Sequence, residues 1–380
     1  MPLLLPIRLL ALVYVLGVLK VTRAETLKLD VRLKGVGGFG FGLFHTLVDK
    51  NGQKLDVLVD TGSGSFFLIW KDWLEKNSRI LCKDWPMGCF ECSPPCSVGN
   101  VTRTATFGGG VTVKMFQHKA KLTVGQVSQT LTFGLIFQHT PPIDPMNPPV
   151  NLMGLGYDKG FVNFPSMMTQ LRSSRTISTG IIALYLYPPA DPNEDSADGG
   201  LLLGGGDPGL YEGALKYIDF STHGRYTVNI DKLQVGDGHI TLGMNMNVLL
   251  DTGSNILLVP GLYYNSLIDD IRAQTDKAAG VHVAFVYDRV AKRWYFPCQY
   301  KTKLPLLRFY LGPQGMTPFS MTYMHYAKRT TYNPVICSLI IKKNRKNEWI
   351  FPDRILIDNY FQFDPTLKRV GIGKLKPRSP

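Results

Sequence analysis

Val57-Leu58-Val59-Asp60-Thr61-Gly62-Ser63 decides the fold of this chain, because Val248-Leu249-Leu250-Asp251-Thr252-Gly253-Ser254 repeats its design in the second half. Apolar runs also follow each copy, Phe66-Phe67-Leu68-Ile69 after the first and Ile256-Leu257-Leu258-Val259-Pro260 after the second. β-Branched and aromatic runs on both sides of a Gly-containing turn predict buried strand, tight turn, buried strand. An Asp on such a turn is expensive, since an unpaired buried carboxylate costs several kcal/mol or has its pKa forced upward. Two identical placements in matching apolar frames point to two carboxylates that meet. At usages of about 5–7% per residue type, one specified tetrapeptide is expected well under once in a chain of this length. Chance is a poor explanation for the repeat.

Composition sets the class around these motifs. A chain of 380 residues admits two or three domains, or two lobes sharing one core. Apolar residues at 44% and charged residues at 19% exclude a disordered chain. With 38 Gly, 25 Pro and 17 Tyr and no sustained helical period, an all-β chain rich in turns is expected. The formal charge of +13 admits an acidic partner, yet Lys and Arg are scattered. Their densest cluster, Lys342-Lys343-Asn344-Arg345-Lys346, carries no nucleic-acid motif and reads as a solvated loop. No nucleic-acid partner is expected.

Leu9 to Leu19 is a short apolar run preceded by Arg8, and Thr22-Arg23-Ala24 offers small residues for cleavage before Glu25. Residues 1–24 therefore read as a signal peptide, with an uncleaved anchor as the alternative. Secretion or a secretory-pathway, lysosome-like lumen follows, with no membrane contact beyond that segment. In such a compartment six cysteines default to three disulfides. Cys82, Cys89, Cys92 and Cys96 crowd one Pro-rich loop, and their pairing stays open. The loop superficially resembles a zinc site but lacks a second well-spaced pair, so no metal is expected. Asn100-Val101-Thr102 is a glycosylation sequon consistent with a surface loop.

In chain order, Phe39 to Val48 alternates and turns at Asp49-Lys50-Asn51-Gly52 into Lys54 to Asp60, a hairpin that delivers the first Asp. Val101 to Phe107 and Val111 to Met115 flank Gly108-Gly109-Gly110, which predicts a mobile hairpin. Pro188 to Gly200 reads as a long polar loop. Helical signal is confined to short candidates near Ser166 to Leu171 and Tyr263 to Ala279.

Taken as an ordered set from about Phe39 to Lys374, these motifs resemble those of the pepsin-like aspartic peptidases, the bilobal single-chain class. Both Asp-Thr-Gly-Ser motifs stand in the expected order. Met153-Gly154-Leu155-Gly156 resembles the segment that passes behind the first Asp, and Ile350-Phe351-Pro352-Asp353 lies where its second copy belongs. Leu202 to Asp207, Tyr211 to Leu215, and Phe363 to Ile372 resemble later strands of the family. The resemblance implies an all-β bilobal fold, two β-barrel-like lobes with a cleft between them. Residues 25–215 would form the lobe bearing Asp60 and the flap, and residues 216–380 the lobe bearing Asp251.

It also implies an endopeptidase in which a water held between Asp60 and Asp251 attacks the peptide carbonyl. One carboxylate would act as general base, while its protonated neighbour polarises the carbonyl. Thr61 and Thr252 would tie the turns together beneath the dyad. Gly62 and Gly253 would allow close approach, and Ser63 and Ser254 would hydrogen-bond the outer carboxylate oxygens. Cys298 and Cys337 fit the family's second-lobe disulfide. A monomer acting on peptides or proteins, without a cofactor, is expected, and both motifs in one chain exclude a dimeric retroviral-type peptidase.

Three departures stand out. The family's flap Tyr is Phe107 here, and the Trp that meets it is Phe67, so an apolar contact is expected in place of a hydrogen bond. Those rings predict an apolar central subsite, with Gly108 and Gly109 offering backbone contacts to an extended peptide. Pro352 replaces a Gly, removes an N–H and fixes φ, so packing behind Asp251 must differ. Only about fifteen residues separate Ala24 from the first recognisable strand, which leaves no room for the usual inhibitory segment. Either the enzyme folds directly in active form, or Glu25 to Gly38 is an abbreviated regulator. The alternative function is a catalytically impaired pepsin-like binding protein.

Overall fold

Period-two alternation begins at once in the computed structural model, which describes residues 26–36, 40–144, 148–157 and 160–378. The proposed signal peptide lies outside the described residues. Strand β1 (Leu27–Val36) buries Leu29, Val31 and Leu33 and turns Lys28, Asp30 and Arg32 outward. It pairs with Ala197–Leu203 on one side and with β2 (Gly40–Asp49) on the other. The stretch for which an abbreviated regulator was one expectation thus holds a core strand, because its alternation matches a half-buried sheet position.

The Asp49 side chain closes the next turn by accepting the N–H groups of Asn51 and Gln53, both at 2.8 Å. Strand β3 (Lys54–Asp60) then runs back along β2 and ends on Asp60. Strand β4 (Phe66–Ile69) is buried throughout. A hairpin follows from β5 (Thr102–Thr106) and β6 (Thr112–Val124), and β7 (Val127–Thr140) lies against β6. Strand β8 (Leu152–Gly154) inserts between β3 and β4, parallel to the first and antiparallel to the second.

The second half repeats that construction. Met246–Leu250 runs parallel to Trp349–Phe351, and Leu257–Pro260 lies antiparallel to the same strand. These strands belong to an eight-stranded sheet, whereas β1 to β8 lie in a thirteen-stranded one. The larger sheet also takes in Asn359–Asp364, Arg369–Lys374 and Lys216–Asp219 from the far end of the chain. Asn359–Asp364 pairs with Ile182–Leu186, so the bilobal, mostly β molecule is joined by a shared hydrogen-bonded sheet. No helix among the described residues is long and apolar enough to cross a membrane.

Among the described residues are four α-helices, the shortest being the single turn Tyr323–Tyr326. Helix α1 (Lys71–Asn77) was not anticipated, because its two buried residues, Trp73 and Leu74, are too few to display a helical period. Helix α2 (Met167–Ser173) starts at Ser166, whose hydroxyl accepts the Thr169 N–H at 3.2 Å. Helix α3 (Gly261–Ala279) buries Tyr264, Leu267, Ile268 and Ile271 and stops at Gly280, where φ is +68°. Disulfides join Cys82 to Cys89, Cys92 to Cys96 and Cys298 to Cys337. Cys92 and Cys96 lie near His118, but with both sulfurs bonded to each other neither is a thiolate ligand. Asn100 is exposed.

The polar segment from Pro188 is shorter than expected, since a strand resumes at Ala197. Its end is pinned by Asp195, whose carboxylate meets the Lys301 ammonium at 3.2 Å and the Arg329 N–H at 2.9 Å. Lys301 is 3% exposed, and Arg354 donates to the Asp195 carbonyl oxygen at 3.0 Å. Removing one partner of a buried pair leaves the other charge desolvated, at a cost of roughly 3 kcal/mol. Lys301→Met should lower the unfolding free energy by about that amount in a urea titration, whereas a change under about 0.5 kcal/mol would show that the pair anchors nothing.

Candidate active site

Four hydrogen bonds bring the two Asp turns together. The Thr61 N–H donates to Thr252 Oγ1 at 3.1 Å, and the Thr252 N–H donates to Thr61 Oγ1 at 3.0 Å. Each hydroxyl then crosses over, Thr61 to the Leu250 carbonyl at 2.8 Å and Thr252 to the Val59 carbonyl at 2.7 Å. Both threonines are 1% exposed, so losing either would strand buried donors and acceptors. The glycines beside them leave room for the carboxylates. A Cβ on Gly62 would sit 2.5 Å from Asp251 Oδ1, and one on Gly253 would sit 2.5 Å from Asp60 Oδ1. Each turn therefore needs Gly because the opposite Asp occupies that space.

The two carboxylates are solvated unequally. Asp60 accepts the Gly62 N–H and the Ser63 hydroxyl, both at 2.7 Å. Asp251 accepts the Gly253 N–H at 2.9 Å. Ser254, expected to hold the outer oxygen of Asp251, instead donates to the Ile256 carbonyl at 3.0 Å. The cause lies at Pro352. In the first lobe, Gly154 stands opposite Asp60 and its N–H donates to the Ser65 carbonyl at 2.7 Å. In the second lobe Pro352 takes that place, since its neighbour Phe351 pairs with Leu250. Proline has no N–H, and the Ser254 hydroxyl satisfies the matching Ile256 carbonyl.

Burial raises the pKa of Asp60, while its serine and backbone donors oppose the shift. Burial and then the facing Asp60 charge raise Asp251 well above the usual carboxylate range, with a smaller push from Asp353. The pair shares a proton, and the extra donors on Asp60 favour its ionised form relative to that of Asp251. Asp353 carries no signal in the sequence beyond following Pro352. Its N–H donates to the Ser254 carbonyl at 2.9 Å, and neither carboxyl oxygen has a hydrogen-bond partner among the described residues. Burial pushes its pKa up to about 7.

The β5–β6 hairpin turns through Phe107 and three glycines. The Phe107 N–H donates to the Val111 carbonyl at 2.8 Å, and the Gly110 N–H donates to the Phe107 carbonyl at 2.9 Å. The Phe107 ring rests on Phe67 with centroids 5.9 Å apart. Phe67 is 1% exposed, so it is the floor under Phe107 and presents almost no surface of its own to a substrate. Gly108 and Gly109 are exposed with open space beside them.

A family model described as eukaryotic aspartyl protease matches residues 45–375. Among curated proteins, the chain is similar to cathepsin D of Rattus norvegicus, 26% identical over 233 residues, which is 59% of this chain and 52% of that protein. It is also similar to cathepsin D of Homo sapiens, 25% identical, again over 59% of this chain and 51% of that protein. Renin of Ovis aries is 21% identical over 332 residues, 84% of this chain and 77% of that protein. The chain spans about half the length of the cathepsin D relatives it matches.

Folding raises Asp353 from its ordinary 3.8 to about 7. Below pH 4 both folded and unfolded forms are protonated, and no penalty exists. Between about pH 4 and pH 7 the unfolded state ionises while the folded state stays protonated, so the folded state loses stability across that window and no more above it. Asp353→Asn removes that loss. Urea titrations should find variant and wild type diverging with rising pH, the variant gaining on the order of 4 kcal/mol between pH 4 and pH 8. A difference that does not vary with pH would contradict this account of Asp353.

Proposed function

Because the chain belongs to the eukaryotic aspartyl protease family, we propose that it is an aspartic endopeptidase working through Asp60 and Asp251. The observation that carries this is the facing pair of carboxylates, Asp60 buried and Asp251 half-buried, with unequal donors. A water held between them loses a proton to Asp60 as its oxygen attacks the scissile carbonyl carbon. The Asp251 proton passes to the carbonyl oxygen, which gives a neutral tetrahedral diol. The proton now on Asp60 then moves to the leaving nitrogen as the C–N bond breaks, and Asp251 recovers its proton from the collapsing diol. No covalent intermediate forms.

An extended peptide lies beneath the hairpin and meets Gly108 and Gly109 through its backbone. The Phe107 ring, with Phe67 behind it, favours large apolar residues around the cut. We assign residues 25–215 and 216–380 to the two lobes and residues 1–24 to a signal peptide. Three disulfides support an oxidising compartment, secreted or luminal, and exposed Asn100 suits a glycan there. A second reading, an impaired enzyme that binds peptides without cutting them, is favoured by one observation. Ser254 has turned away from Asp251, which leaves that carboxyl with fewer donors than Asp60.

Hydrolysis of a fluorogenic peptide with apolar residues flanking the cut separates the two. Activity should be bell-shaped in pH, with both limbs displaced toward neutral pH. The acid limb reports ionisation of Asp60, whose pKa is raised, and the basic limb reports Asp251, raised further. Asp60→Asn and Asp251→Asn should each lower kcat by about a thousandfold or more. A wild type that binds a statine peptide yet cuts nothing from pH 3 to pH 8 would favour the impaired enzyme.

A further inference from the structure

We propose that Lys328 and Ser338 form a carboxylate-binding subsite at the Phe41 end of the cleft, which selects substrates bearing an acidic side chain to one side of the scissile bond. The proposal rests on the peptidase reading and specifies the substrate class of that site. Its location follows from Asn255, the residue after the second Asp-Thr-Gly-Ser motif. The Asn255 side-chain amide donates to the Phe41 carbonyl at 2.9 Å, which holds Phe41 against the flank of the catalytic turn. Lys328 Nζ lies 4.8 Å from the Phe41 ring centroid, and the Arg354 guanidinium lies 5.3 Å from it on the same ring.

The sheet beneath this point presents polar groups to one face. Lys328 pairs directly with Ser338, and Ser338 pairs with Tyr295 on its other side. Directly paired residues share a face, and Arg293, two residues before Tyr295, shares it too. Ser338 is 1% exposed, and its hydroxyl has no hydrogen-bond partner among the described residues. A buried, unpartnered hydroxyl is costly unless a ligand completes it.

The charge around it is mostly positive, and Asp288, which shares the face through its pairing with Arg293, has its Oδ1 taken by the Val290 and Ala291 N–H groups at 2.7 and 2.9 Å. Lys328 is half-buried, and among the described residues neither a hydrogen bond nor an ion pair satisfies its ammonium. Burial, and then the positive charges of Arg293 and Arg354, lower its pKa to about 8, although Asp195 and Asp353 oppose the shift. Asp195 is already engaged by Lys301 and the Arg329 N–H, and Asp353 is largely protonated below neutral pH. An incoming carboxylate would neutralise Lys328 and accept the Ser338 hydroxyl together. Glutamate or aspartate supplies that group, and an amide of the same shape does not.

The test uses one cleavable peptide carrying Gln, Glu or Lys in turn at each of four positions on either side of the cut. At one position Glu should exceed Gln by about tenfold in kcat/KM. Lys328→Gln should bring that ratio to within about twofold, and Lys328→Glu should reverse it in favour of Lys. Ser338→Ala, which keeps the charge, should reduce the ratio in part. A Glu preference at no position, or one that survives Lys328→Gln, overturns the proposal while leaving the peptidase intact. If no peptide is cut, anisotropy with uncleavable statine peptides carrying Glu or Gln decides the subsite without turnover. Equal binding of the two overturns it, and tighter Glu binding that Lys328→Gln abolishes upholds it even as the peptidase reading fails.

Discussion

The crossed hydrogen bonds of Thr61 and Thr252 are the constraint on which the molecule depends. Two carboxyl groups meet face to face, Asp60 buried and Asp251 half-buried, an arrangement that desolvation and like charge both oppose. Something must hold the turns at that distance, and the threonines do so with donors and acceptors that water cannot replace. Each bond contributes only about 1 kcal/mol net, but breaking one strands a buried polar group. The strands behind the turns exist in matching triplets for the same reason. β3, β8 and β4 in one lobe, and Met246–Leu250, Trp349–Phe351 and Leu257–Pro260 in the other, aim both turns at one point.

Within that symmetric frame a single residue makes the chemistry asymmetric. Pro352 withholds an N–H from the Ile256 carbonyl, Ser254 supplies the missing donor, and Asp251 loses a partner that Asp60 keeps. Hydrogen-bond supply then favours ionisation of one carboxyl over the other, without any difference in residue type. The next residue, Asp353, adds a buried acid behind the dyad and raises Asp251 further. Backbone chemistry at one proline therefore propagates to proton affinity at the Asp60–Asp251 pair.

Charge is handled differently a few residues away. Asp195, Lys301 and Arg354 lock the loop after Pro188 against the second lobe, and the shared sheet holds the lobes from the other side. That lock engages Asp195. Lys328 is left over Phe41 with positive neighbours and an unpartnered serine hydroxyl beneath the same face. The basic composition of the chain is thus not merely a solubility device, because part of it is concentrated beside the cleft.

What the residues determined alone is whatever depends on local pattern. The repeated Asp-Thr-Gly-Ser in apolar frames named both acids, their glycines and their threonines, since chemistry and spacing coincide within seven residues. Alternation marked the hairpin into Asp60, and extended runs around three glycines marked the hairpin that carries Phe107. The Phe107 and Phe67 pair was legible as an apolar contact, because both polar tips are missing from the sequence. Other features depend on partners distant in the chain, and only the tertiary structure decided them. Ser254 looks equivalent to Ser63 until Pro352, about a hundred residues on, is seen opposite Asp251. Asp353 and Lys328 look like ordinary surface charges until the sheet buries one behind the dyad and sets the other over Phe41. Which hydrogen-bond donors reach an atom, and how much water does, are properties of packing between distant strands, and these set proton affinity and selectivity.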